Sequence, residues 1–150
     1  MKRMVEENKR ELRSDCPVNF AVEVFGDKWS LLIVRDIIFW GRNTYGAFLK
    51  STEKPATNIL ADRLARLERE GVIVKKAHAT DKRKEVYSLT EKGLDLIPIL
   101  LDMAEWSLNH GLGKTFVPDE FVESVRKDKA KVVAWMREKV LAGEAVFWQK

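Results

Sequence analysis

The stretch from Thr57 to Glu70 constrains this chain more than any other. Leu60, Leu64 and Leu67 recur at helical spacing as one narrow stripe, and Gly71 stands where a left-handed C-terminal cap is wanted. With the stripe turned inward, about 100° per residue puts Asn58, Asp62, Ala65 and Arg69 on the opposite face, flanked by Thr57, Ala61 and Arg66. A helix this one-sided lies on a surface, packing one row and offering the other. A hairpin follows it. Val72-Ile73-Val74 begins a strand, Val86-Tyr87-Ser88-Leu89 forms a second, and Thr80-Asp81-Lys82-Arg83-Lys84 makes an exposed tip between them.

Upstream, Pro17 fits the first turn of a helix in which Val18, Val22 and Phe25 share a face before Gly26 ends it. Asp27 is a suitable N-cap for a helix from Lys28 to about Phe39, whose Leu31, Leu32, Val34, Ile37 and Ile38 mark it as the buried central one. After the turn Trp40-Gly41-Arg42-Asn43, a short helix runs over Tyr45 to Lys50, and Pro55 opposes helix at Lys54. Downstream, Thr90 caps a long helix expected from Glu91 to roughly Leu108, which Pro98 should kink. This helix is apolar nearly all round, so it needs two partners: its own domain and, by expectation, a second copy of the chain. Residues 109–118 read as a linker, and a last amphipathic helix is expected from Asp119 to about Leu141.

The order of elements is that of a winged helix-turn-helix: mainly α with a small β-hairpin, a long C-terminal dimerisation helix and an additional C-terminal helix. The expected organisation is an N-terminal arm over residues 1–15, flexible or contacting a dimer partner, then the winged domain over 16–108. The linker over 109–118 and a helical extension over 119–150 complete it.

Charge agrees with that architecture. The net charge is only +4, but residues 41–90 carry 11 basic and 6 acidic side chains while the remainder is close to neutral. Clustered cations displace counterions from phosphates, whereas a solvated basic face with no partner is the plainer alternative. Within the hairpin, Lys75, Lys76, Lys82, Arg83 and Lys84 oppose only Asp81 and Glu85. Lysines there also protect a strand edge from pairing, so the hairpin alone leaves both readings open. A recognition helix meets bases with its N-terminal residues, which selects Thr57, Asn58, Ala61 and Asp62, with Arg63 and Arg66 better placed for phosphates. Lys82, Arg83 and Lys84 are the corresponding candidates on the wing.

Four stretches then carry a specific resemblance: Cys16-Pro17-Val18; Gly26-Asp27-Lys28-Trp29-Ser30-Leu31-Leu32-Ile33; Ala56 to Leu64 with Leu67-Glu68 and Gly71; and Val86-Tyr87-Ser88-Leu89-Thr90-Glu91-Lys92-Gly93. In order and spacing they resemble the HxlR-type winged helix-turn-helix transcriptional regulators of bacteria and archaea, a MarR-like group. The resemblance implies a sequence-specific DNA-binding repressor or activator without enzymatic activity. It also implies a homodimer, joined through the N-terminal and long C-terminal helices, on an inverted-repeat operator of double-stranded DNA. In several such regulators a cysteine placed like Cys16 senses electrophiles or oxidants. The helix start favours negative charge there and Arg13 is close in sequence, while Asp15 opposes it. The alternative for Cys16 is a packed, inert thiol.

Other functions are disfavoured by what the chain contains. One cysteine excludes an internal disulfide or a cysteine-based zinc cluster, and two histidines 32 positions apart offer little to any metal. No nucleophile–base pair or glycine-rich phosphate loop is present, so neither catalysis nor a cofactor is expected. No apolar run spans a membrane and the first residues lack a signal-peptide core, which places the chain in the cytoplasm by expectation. Trp29 and Trp106 are expected to be structural packing. The competing function is a redox or small-molecule sensor acting mainly through a protein partner, and for either a small-molecule or electrophile effector is compatible.

Overall fold

The computed structural model describes residues 11–147. Among the described residues, six helical segments and a two-stranded hairpin precede the C-terminal extension. They begin with α1 (Pro17–Phe25), α2 (Ser30–Trp40), α3 (Tyr45–Leu49) and α4 (Thr57–Arg69), then β1 (Ile73–Ala77), β2 (Glu85–Leu89) and α5 (Glu91–Leu94). α6 (Ile97–Asn109) leads into the extension, α7 (Asp119–Lys127) and α8 (Lys129–Leu141). The arm expected over residues 1–15 lies outside the described residues up to position 10, and residues 11–15 are exposed.

α2 is the central helix, as its sequence requires: Val34 and Ile38 are completely buried and Ile33 and Ile37 nearly so. It begins two residues later than expected because the Asp27 carboxylate accepts the N–H groups of Trp29 (2.9 Å) and Ser30 (3.0 Å) as well as the Ser30 hydroxyl. Around it, Phe48 of α3, the α4 leucines at 60, 64 and 67, Val72, Ile73 and Leu94 close one core. The hairpin is antiparallel, with Ile73 opposite Leu89 and Ala77 opposite Glu85. A third segment joins it where Tyr87 N–H donates to the Asn43 carbonyl at 2.7 Å.

Two expected helices are divided. The segment from Glu91 to Leu108 is not one kinked helix. α5 ends at Leu94, and Pro98 occupies the first turn of α6, where its missing N–H costs nothing. Likewise the helix expected from Asp119 to Leu141 breaks at Asp128, whose extended backbone (φ −154°) ends α7 and whose carboxylate caps α8 through the Lys131 N–H at 3.1 Å. An aspartate suits that junction because it is a better cap than helix interior.

The extension is built into the same core. Met136 of α8 is completely buried with Ile97 and Leu101 in one cluster. The last described residues return to α2, where Val146 and Phe147 N–H groups donate to the Ile38 (3.1 Å) and Phe39 (3.0 Å) carbonyls. The Phe147 ring stacks on Phe39 and meets Phe121 edge-on at 4.9 Å between centroids. A row of ion pairs ties the extension to α5 and α6: Arg126 to Glu105 (3.0 Å), Lys129 to Asp102 (2.6 Å), and Arg137 to both Asp95 (3.3 Å) and Glu91. Trp106 departs from expectation: it is 64% exposed, because it lies on the side of α6 that neither the core nor the extension covers.

Candidate nucleic-acid interface

α3 and α4 form the two-helix unit, and its turn is held from several sides. The Thr44 hydroxyl caps α3 by accepting the Ala47 N–H at 3.2 Å, and the Tyr45 hydroxyl donates to the Thr57 carbonyl at 3.1 Å. Between the helices Lys54 takes a left-handed conformation (φ 51°) just before Pro55. A charge cluster braces this turn against α2. Arg35 spans the buried Asp36 and the Glu53 carboxylate, and Arg42 approaches Asp36 at 3.3 Å. Burial lifts the Asp36 carboxyl above its ordinary range despite the two guanidinium groups.

With the α4 leucines buried, its outer row is open. Thr57, Asn58, Ala61, Asp62, Ala65 and Arg69 are all exposed. The side chains of Thr57, Asn58 and Ala61 make no hydrogen bond within the described residues, and small Ala61 and Ala65 leave the helix backbone approachable. Asp62 pairs with the adjacent Arg63. The wing stands beside the start of α3: Thr44, Tyr45 and Lys50 share a cleft with Arg83, Lys84 and Glu85. Arg83 is 92% exposed and pairs with Asp81 at 3.3 Å, and Lys75 pairs with Glu85 at 3.6 Å. Lys84 attracts the same Asp81 carboxylate at longer range, whereas Lys76 and Lys82 have no acidic partner among the described residues. His78 turns inward to the tip, accepting the N–H groups of Thr80 (3.2 Å) and Asp81 (3.1 Å) at Nδ1.

Arg63 and Arg66 are placed differently from the rest of the candidate set. Arg63 Nε donates to Asp27 at 2.8 Å, and Arg66 donates to the Glu23 carbonyl at the end of α1. Both therefore brace α4 against α1 and the α2 cap. Burial disfavours the ionised Asp27 carboxylate, yet hydrogen bonds from Ser30, Trp29 and Arg63 outweigh it and hold its pKa at about 2. The bracing cluster around Asp36 was not anticipated. Its signal is an adjacent Arg-Asp pair inside an otherwise apolar helix, since buried charges demand partners.

The HxlR-like helix-turn-helix model matches residues 24–113, from the end of α1 through the whole unit, the wing and α6. The chain belongs to the HxlR-like helix-turn-helix family. It is thus a transcriptional regulator with a helix-turn-helix DNA-binding domain. It is 31% identical over 108 residues, covering 72% of this chain and 75% of the relative, to the HTH-type transcriptional regulator sll1512 of Synechocystis. It is 34% identical to YdeP of Bacillus subtilis over 61% of this chain and 70% of that protein. Among solved structures, the candidate transcription factor PA1607 aligns with a TM-score of 0.63 and 37% identity over 70% of this chain and 73% of that one. The oxidised form of the redox regulator HypR aligns with a TM-score of 0.55 and 31% identity over 64% of this chain and 98% of that one.

The HxlR-like match stops at 113, so α7 and α8 lie outside it. Among the described residues no helix is long and apolar enough to cross a membrane, and no group of three or more His, Cys, Asp or Glu is placed to hold a metal.

Proposed function

We propose that this HxlR-like regulator acts in the cytoplasm as a homodimer on an inverted-repeat operator, with α4 in the major groove and the wing on the backbone or minor groove. The observation that carries the reading is the unpartnered start of α4 beside a wing with unpaired lysines. Thr57, Asn58, Ala61 and Asp62 meet base edges there, and Lys82, Arg83 and Lys84 meet phosphates. Arg63 and Arg66 act chiefly by fixing the angle of α4, with their remaining N–H groups available to phosphate. A dimer through α1 and α6 is supported by a groove of about 560 Å³ between them, lined by Val18, Val22, Ile99 and Met103. Val18, Met103 and Trp106 are 71%, 48% and 64% exposed, too much apolar surface for water alone.

The test is binding to duplexes selected from a random pool, followed by fluorescence anisotropy across a salt series. The wild type should retain a preferred pseudo-palindromic site, and Asn58→Ala should change the preference. Neutralising Lys82, Arg83 and Lys84 together should lower the salt slope by about 2 to 3 per protomer without changing the sequence preference. No preferred site, or no salt dependence, overturns the proposal. An unchanged regulatory phenotype in the triple variant would favour action through a protein partner instead.

One observation also favours a redox input. Cys16 is exposed at the N-terminus of α1, and α1 is coupled to α4 by the Arg66 contact to the Glu23 carbonyl. Two thiols from two protomers would give one intersubunit disulfide, surrendering two electrons and two protons to an oxidant such as diamide. Unchanged operator affinity after diamide, with no slow-migrating species on a non-reducing gel, removes this input.

A further inference from the structure

The basic side chains of the extension are used unevenly. Arg126, Lys129 and Arg137 pair with α5 and α6, and Lys139 pairs with Glu144 at 3.2 Å. Lys127 at the end of α7 and Lys131 in the first turn of α8 have no acidic partner among the described residues. Both line the same open groove, of about 520 Å³, formed where the break at Asp128 splays α7 from α8. Its floor is apolar, made by Phe121, Val132 and Trp135. Trp135 is 42% exposed, and Phe121 is fixed from behind by its edge-on contact with Phe147. The one acid in the groove, Asp128, is committed to capping α8.

We infer that this groove binds a small molecule with a flat apolar body and a single carboxylate. The ring would lie over the Trp135 face and Phe121, where offset stacking and apolar burial hold it. The carboxylate would be held between Lys127 and Lys131, each a flexible point charge able to follow the head group. A neutral ring forfeits the lysines, and a dianion meets Asp128. An acidic peptide fits less well, because the groove lining offers two lysines rather than a basic track. The site belongs to the extension, outside the HxlR-like match, and does not depend on how the protein reads DNA.

The experiment uses the full chain, 2-naphthoate as the probe and 2-naphthylmethanol as its neutral counterpart, followed by titration calorimetry and by two-dimensional NMR of the labelled protein. Naphthoate should saturate with a Kd of about 1 mM or tighter, and the alcohol should bind at least about fivefold more weakly. Lys127→Gln with Lys131→Gln should weaken naphthoate about five- to tenfold and leave the alcohol unchanged. Trp135→Ala should weaken both probes. Native-like NMR spectra of the variants separate loss of the site from loss of the fold, and Lys127→Arg with Lys131→Arg should restore naphthoate binding. Equal affinity for the two probes, no saturation, or chemical-shift changes centred on α1 and α6 rather than α7 and α8 would overturn the inference.

Discussion

Replacing Asp27 by asparagine isolates the charge that joins the start of α2 to α4. Asparagine keeps one oxygen to cap Trp29 and Ser30 but loses the charge that strengthens the Ser30 and Trp29 hydrogen bonds and attracts Arg63. The Asp27 side chain is only 15% exposed, so little of that attraction is screened. The folded pKa of about 2 lies below the ordinary 3.8, so the unfolded chain binds the proton more readily between these values. The charge therefore stabilises the fold above about pH 4, and the stabilisation is lost as pH falls through about 2. A shift of nearly two units corresponds to about 2 kcal/mol near neutrality, of which about 1 kcal/mol remains at pH 3. Urea unfolding of wild type and Asp27→Asn, followed by tryptophan fluorescence and far-ultraviolet dichroism at pH 7, 5, 4 and 3, measures the gap. It should be about 2 kcal/mol at pH 7 and narrow by about half at pH 3. A gap that is absent at pH 7, or constant over this range, would refute the assignment.

Three further outcomes are expected. Gly93→Ala should destabilise by about 1–3 kcal/mol in urea, because an added Cβ would lie 2.3 Å from the Val72 carbonyl oxygen and 2.9 Å from a Leu89 methyl; an unchanged midpoint would show that this approach is looser than described. Met136→Ala should cost about 2–5 kcal/mol and move the fluorescence and dichroism transitions together, since its side chain is completely buried in the core shared with α6; two separate transitions would mean that the extension unfolds alone. Met103→Lys should leave the secondary structure intact while raising the dimer dissociation constant about tenfold or more in sedimentation equilibrium, because it puts a charge on the exposed apolar side of α6. An undisturbed association would move the dimer contact elsewhere.

Local patterns were legible wherever one physical requirement acted alone. The leucine stripe of α4, the basic tip between two short strands and the proline at the start of α1 each emerge where their spacing places them. The breaks at Asp95-Leu96 and Asp128 were not legible, because apolar periodicity runs across both and only the packed chain decides where helices part. Pro98 had two meanings, a kink in one helix or the first turn of a new one, and the second is realised. In the candidate site, exposure of Asn58 and Ala61 follows from helical phase. The inward use of Arg63 and Arg66 depends on the α2 cap and on the end of α1, whose positions over α4 no local pattern encodes.

The ion-pair row between the extension and α5–α6 bears on how salt acts on this molecule. Its acidic members are mostly well exposed, so added electrolyte weakens the extension's hold on the rest of the chain. On the proposed mode of action, mobile ions thus have two destinations, the phosphates of the bound DNA and the protein's own flank. The wild-type salt slope then counts both phosphate contacts and an internal loosening, whereas the difference between wild type and a wing variant retains only the former. An operator titration becomes a two-site measurement made with one cation, and the flank's share can be read separately by repeating it without DNA.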